Sequence, residues 1–220
     1  MKIQESERFR VGALLAIAGG ILDAYTYICR GGVFANAQTG NIVLIGIRAV
    51  DGDWRGMFSA IVPVIAFAIG VLITEQMKLR FKTEEKHKFH WRHVMVGIEI
   101  ALIAAISFVP QGEFNHFVNV VISFVCAMQV QTFRKVRGFA FASTMCTGNL
   151  RSGTEALSNY IHKKNRKERH RMLCSYGIIA FFIFGAIAGA LLSVHSQTEV
   201  LPVCVLIYVV IFVFMIEWDL

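Results

Sequence analysis

Apolar runs of close to 20 residues alternate with short polar breaks along most of the chain. Six runs are long enough to be read as membrane-spanning helices: about 11–29, 57–77, 94–110, 116–133, 172–193 and 200–216. At about 1.5 Å per residue such runs approach the roughly 30 Å of a hydrocarbon core. Two further segments do not fit that description. Residues 39–50 are apolar but cover only about 18 Å as a helix. Residues 147–161 carry Arg151, Ser152, Thr154, Glu155, Ser158 and Asn159, too polar a set to face lipid as a full span. Asp51-Gly52-Asp53 closes the first short segment with turn chemistry, and Pro110-Gln111-Gly112 ends the third span.

The pattern occurs twice. Thr39-Gly40-Asn41 recurs as Thr147-Gly148-Asn149, 108 residues later. The same offset sets Asp23 against Gln131 and Tyr25 against Phe133. Phe67-x-x-Gly70 and Phe182-x-x-Gly185 correspond after a seven-residue insertion. The chain therefore reads as a single membrane domain over 1–220, with one repeat at about 11–110 and a second at about 116–217. Small residues recur every fourth position at Gly12, Ala16, Gly20 and Ala24, and again at Ala66/Gly70 and Gly185/Gly189. Such faces let helices approach closely in lipid, within one chain or between chains, so a homo-oligomer is open to it.

Charge decides the topology. The chain is 55% apolar, 17% charged and carries a formal charge of +7. The basic residues cluster beside the apolar runs, which points to cytoplasmic loops against anionic lipid and away from nucleic acid. If both short segments crossed the membrane, eight crossings would put the basic loop 78–93 on the face opposite the N-terminus. If both are re-entrant half-helices, six spans remain, both termini are cytoplasmic, and only Arg30, Arg48 and Arg55 of the 22 Lys and Arg residues fall outside. Three spans per repeat is an odd number, so the second repeat is inverted. The expected fold is all-α and integral to the membrane: six transmembrane helices as an inverted 3+3 repeat with two half-helices. Broken helices in inverted repeats are a recurring design of transporters.

The candidate chemistry follows from that arrangement. Asp23 lies about two-thirds along the first span, where a charge costs several kcal/mol unless paired, hydrated or protonated. It could hold a coupling ion or a polar substrate group; as a structural residue it would pair with Arg30 or Gln131. Thr39 and Thr147 stand where their hydroxyls could cap free backbone N–H groups. Gly40 and Gly148 allow close approach, and Asn41 and Asn149 offer both donor and acceptor. Two helix N-termini aimed inward would suit an anionic or carbonyl group, or would only cap one another. Glu99 is a second intramembrane carboxyl. His87-x-x-His90-x-x-His93 has the spacing of a ligand ladder but no acidic or Cys partner nearby, so no metal is expected. The five cysteines are scattered without a Cys-x-x-Cys pair. No nucleophile elbow, zincin, Walker or dinucleotide motif is present, which argues against an enzyme, and no cofactor is expected.

Gly20-x-x-Asp23-Ala24 followed by Gly31-Gly32-Val33-Phe34-Ala35-Asn36-x-x-Thr39-Gly40-Asn41 resembles the DUF1275 family of bacterial membrane proteins, also called the YoaK family. Ala127-Met128-x-x-Gln131 and Thr147-Gly148-Asn149 look like that family's second signature. The resemblance covers essentially the whole chain and implies a multi-pass protein of the bacterial cytoplasmic membrane. It supplies no substrate. The residues themselves lead to the expectation of a transporter of a small polar molecule or ion. Its central site would be built from Asp23, Asn36, Thr39, Gly40, Asn41, Gln131, Thr147, Gly148 and Asn149. A channel with a continuous pore and a non-transporting membrane scaffold are the alternatives.

Overall fold

The computed structural model describes residues 9–82, 91–136, 139–140 and 143–216. These form eight helices: α1 (Phe9–Cys29), α2 (Gln38–Val50), α3 (Trp54–Lys82), α4 (Trp91–Ile106), α5 (Asn115–Thr132), α6 (Cys146–Lys163), α7 (Arg166–His195) and α8 (Val200–Ile216). Between α5 and α6 two short strands, β1 (Lys135–Val136) and β2 (Phe139–Ala140), pair antiparallel with Lys135 opposite Ala140. This small ladder is the one departure from an all-α chain among the described residues. All six expected spans and both short segments are helical.

Helices α3 and α7 run longer than the apolar runs that announce them, to 29 and 30 residues. For α7 the cause is local. Lys164 ends α6 in the left-handed region (φ 46°). The Asn165 side chain then accepts from the Lys167 N–H at 2.9 Å and caps a new helix. Among the described residues three helices are long and apolar enough to cross a membrane: Phe9–Cys29, Trp54–Phe81 and Arg166–His195; Val200–Met215 is apolar but shorter.

α1 is the centre of the molecule, buried on nearly every side. It packs most extensively on α7 and shares one apolar core with α4, α5 and α8, in which Leu15, Leu22, Tyr25, Ile103, Ile122 and Tyr208 are fully enclosed. α3 and α7 flank this core and present apolar rows outward, among them Val62, Ile65, Ile69 and Leu72 on α3 and Ile183, Phe184, Ile187 and Leu191 on α7. That distribution suits helices solvated by lipid.

The packing scheme returns to itself when α1 is exchanged with α5, α2 with α6, α3 with α7 and α4 with α8. α1 packs on α7 as α5 packs on α3; α2 packs on α3 as α6 packs on α7; α1 packs on α8 as α5 packs on α4. Glycine makes the closest of these contacts. A Cβ at Gly20 would overlap the Phe182 carbonyl oxygen, one at Gly185 the Ile17 carbonyl oxygen, and one at Gly189 would stand 2.7 Å from Ile21 Cα. On the other side, a Cβ at Gly70 would stand 2.8 Å from the Phe124 carbonyl oxygen. Small-residue faces thus join α1 to α7 and α3 to α5 inside one chain.

The helix directions follow from cross-helix bonds. Gln129 Nε2 donates to the Leu15 carbonyl (3.1 Å) and Asn119 Nδ2 to the Arg30 carbonyl (2.8 Å), so α1 and α5 run antiparallel. At one end of the bundle Arg30 is a buried clamp. Its guanidinium donates to the Tyr25 hydroxyl (2.7 Å), the Val109 and Pro110 carbonyls (2.8 Å each) and Asn115 Oδ1 (3.1 Å). At the same end Gln111 Nε2 donates to Gln197 Oε1 at 2.7 Å, joining the α4–α5 turn to the α7–α8 turn.

Candidate functional site

The first break begins where α1 stops. Gly31 and Gly32 take φ of +93° and +71°, a region that L side chains rarely adopt, and turn the chain back along α1. The returning backbone is then bonded to α1 and α5. The Asn36 N–H donates to Asp23 Oδ1 at 3.0 Å, and Asn36 Nδ2 donates to the Gly19 carbonyl at 2.9 Å. The Ala35 N–H donates to Thr26 Oγ1 (3.3 Å), which itself donates to the Asp23 carbonyl (3.2 Å). From α5, Ser123 Oγ donates to the Ala35 carbonyl at 2.8 Å.

These bonds correct one expectation. The partner of Asp23 is the backbone of the break, not Arg30 or Gln131. Arg30 is held at the bundle end by the clamp described above. Gln131 donates through Nε2 to Glu75 on α3, which also pairs with Lys78 at 2.8 Å. Gln131 occupies the repeat position of Asp23 but takes no part in its bonds.

The second break comes to the same place from the other half. A Cβ at Gly19 would stand 2.7 Å from the Thr144 methyl and 3.8 Å from Asn36 Nδ2. Gly19 is the middle residue of the 21 in α1, and Ser123 lies at the middle of the 18 in α5. Each break therefore reaches the midpoint of the other half's first helix. Asn36 and Thr144, separated by the same 108 residues as the Thr-Gly-Asn motifs, face each other across Gly19.

The junctions from break to helix are built alike. Ala37 precedes α2 with φ −92° and ψ 73°, and Met145 precedes α6 with φ −94° and ψ 72°. The Gly40 N–H donates to the Ala37 carbonyl (3.0 Å), and the Gly148 N–H to the Met145 carbonyl (3.1 Å). Neither junction has a side-chain cap bond. The threonine-cap expectation is therefore wrong. Thr39 and Thr147 are second residues of their helices and exposed, and tight backbone turns satisfy the Gly40 and Gly148 N–H groups instead.

The other expected residues divide. Asn41 is buried and donates to Gln38 Oε1 (2.9 Å), while Gln38 Nε2 donates to the Ala35 carbonyl (2.7 Å), which ties α2 to the centre. Asn149 is buried at the matching position of α6. Gly40 and Gly148 are exposed, and nothing lies within 4 Å of a Cβ at either, so no backbone is brought close there. Thr147 lines an open groove of about 560 Å³ with Leu150, Arg151, Thr154, Glu155 and Ser158.

What remains at the centre is a closed polar cluster with atoms to spare. Asn36 Oδ1, Ser143 Oγ and Thr144 Oγ1 are buried without a hydrogen-bond partner. Each such group costs about 1–3 kcal/mol, and three at one meeting point suit a bound polar molecule or water. The sequence reading missed Gly19, Ser123, Ser143 and Thr144. Ser143 and Thr144 were available to it, because the 108-residue offset pairs them with Ala35 and Asn36.

Elsewhere, His93 is buried edge-on against Phe212 (5.8 Å between ring centres), while His87 and His90 of the expected ladder lie outside the described residues. Among the described residues no three His, Cys, Asp or Glu side chains converge as metal ligands.

No solved structure matches this chain. A curated relative, the UPF0700 transmembrane protein YoaK of Bacillus subtilis (strain 168), is 27% identical over 183 residues, 81% of either chain. The family described as "Protein of unknown function (DUF1275)" matches residues 11–214, from the start of α1 almost to the end of α8. Together with the apolar helices, this match makes the chain a membrane protein that belongs to the DUF1275 family.

Proposed function

We propose that this protein is a carrier for a small polar molecule or ion, with its binding site where the two breaks meet on α1. The observation that carries the reading is that meeting point: two non-helical segments at the middle of the bundle, with Asn36 Oδ1, Ser143 Oγ and Thr144 Oγ1 buried and unpartnered beside Asp23. Non-helical backbone at membrane depth persists only where protein buries it or water reaches it. Asp23 and Asn36 offer acceptor oxygens, so the substrate presents N–H, O–H or cationic groups to them. The reading involves no covalent chemistry.

The topology that goes with this reading is six spans in two inverted halves, with α2 and α6 as half-helices entering from opposite faces of a bacterial cytoplasmic membrane. Antiparallel α1 and α5 support the inversion, since they are the matching first helices of the two repeats. Arg30 at the end of α1 is bonded to Val109 and Pro110, and Gln111 is bonded to Gln197. In an eight-crossing chain the turns holding Gln111 and Gln197 would lie on opposite faces, beyond reach of each other. The open polar face of α6 then becomes a water-filled entrance from the cytoplasm toward Thr147.

The test is a thermal-stability screen of purified protein against sugars, polyols, amino acids, amines, nucleobases and inorganic ions, with wild type and Asp23→Asn in parallel. A ligand at a hundredfold excess over its dissociation constant stabilises the folded state by about 2.7 kcal/mol. Stabilisation that Asp23→Asn loses, followed by saturable uptake of the same compound into proteoliposomes, is the expected result. Uptake without saturation would identify a channel. No stabilisation and no uptake would leave a scaffold.

A further inference from the structure

Among the described residues, Glu99 is the carboxyl with both oxygens buried and unpartnered. It stands at the middle of α4, wholly buried, and neither carboxyl oxygen has a hydrogen-bond partner. It faces the core where α4 packs on α5 and α8. The titratable groups around it are Cys126 on α5 and Cys204 and Tyr208 on α8. The Tyr208 hydroxyl is committed to Gln129 Oε1 at 2.7 Å. From α3, Glu75 and Lys78 pair with each other. His93, on α4 itself, packs against Phe212.

Packing alone gives no use for a carboxyl here, because no hydrogen-bond donor meets either of its oxygens. A buried charge without a partner costs several kcal/mol even after relaxation. What neutralises it must therefore be supplied from outside the fold. A metal cation needs several oxygen ligands to replace its water shell, and the neighbours of Glu99 supply thiols and a phenol already in use. A proton needs only the carboxyl itself.

We propose that Glu99 is a proton-exchange site of this protein, separate from the polar cluster at the breaks. On the carrier reading, the proton at Glu99 is the coupling ion. The exchange itself does not depend on that reading.

The experiment is infrared difference spectroscopy of the full-length protein in lipid, between about pH 5 and about pH 9. It compares wild type, Glu99→Gln, Glu99→Asp and Asp23→Asn, with helicity checked by circular dichroism. A carboxylic-acid C=O band that disappears as pH rises is expected in wild type and Asp23→Asn. It should be lost in Glu99→Gln and displaced in Glu99→Asp. If folded wild type lacks a titrating band that Glu99→Gln removes, the proposal is overturned, whatever solute the protein moves. A titrating band in protein that moves no solute leaves the proton site standing and removes the carrier reading. Saturable uptake that is unchanged by a pH gradient, in protein without the band, removes the proton site and leaves the carrier.

Discussion

Asp23 is held by geometry that a neutral side chain can largely reproduce. Its Oδ1 accepts the Asn36 N–H, and an asparagine oxygen in the same place accepts that bond equally well. Asp23→Asn is therefore expected to unfold within about 0.5 kcal/mol of wild type. Asp23→Ala leaves a buried N–H without a partner and is expected to cost about 1–3 kcal/mol. Thermal unfolding of the two variants checks the difference; equal loss in both would mean that the bond does not hold the break. The acid at position 23 was legible from sequence because a carboxyl inside an apolar run has few structural excuses. Its partner was not, because a backbone N–H thirteen residues later leaves no signature in side-chain spacing. Arg30 misled for the converse reason. A cation one turn or two from an acid suggests a pair, yet a guanidinium can be satisfied by carbonyls and a phenol, as Val109, Pro110 and Tyr25 satisfy this one.

Among the elements, α1 and α7 approach more closely than any side chain would allow. Gly185→Ala and Gly20→Ala each place a methyl group against the opposing backbone, and each is expected to destabilise by about 1–3 kcal/mol. Gly46→Ala on α2 is the control. Nothing lies within 4 Å of its Cβ, so it is expected to be neutral or slightly stabilising through helix propensity. Chemical unfolding of the three variants in one detergent compares them; a Gly46→Ala loss as large as that of Gly185→Ala would mean that helix–helix crowding is not the cause. Both the helices and the small-residue faces were readable from periodicity. Which face meets which helix was not, since Gly12, Ala16, Gly20 and Ala24 describe a surface but name no partner. The threonine caps failed for a related reason. Position relative to a helix start is uncertain by a residue or two from sequence, and the starts at Ala37 and Met145 put Thr39 and Thr147 two residues too far in.

For the whole molecule, exchange of the two halves leaves the packing unchanged while α1 and α5 run in opposite directions, and this pair of facts governs what each membrane face should display. Of the described cysteines, Cys29, Cys126 and Cys204 are buried and Cys146 and Cys174 partly accessible, so replacing the latter two by serine gives a quiet background for labelling. Single cysteines then go to exposed turn positions: Asp51→Cys between α2 and α3, Glu113→Cys between α4 and α5, Thr198→Cys between α7 and α8, and Lys164→Cys between α6 and α7. With six spans and two half-helices, a membrane-impermeant maleimide applied to intact cells is expected to modify the first three, and Lys164→Cys only after permeabilisation. With eight crossings, Thr198→Cys alone would react from outside, and Asp51→Cys and Glu113→Cys would join Lys164→Cys on the inner face. The positions that separate the two schemes are 51 and 113, on either side of the α3–α4 pair. Their modification from outside would mean that α2 returns to the face it entered, as a half-helix must, and that Gln111 and Gln197 can form their bond at one surface of the bilayer.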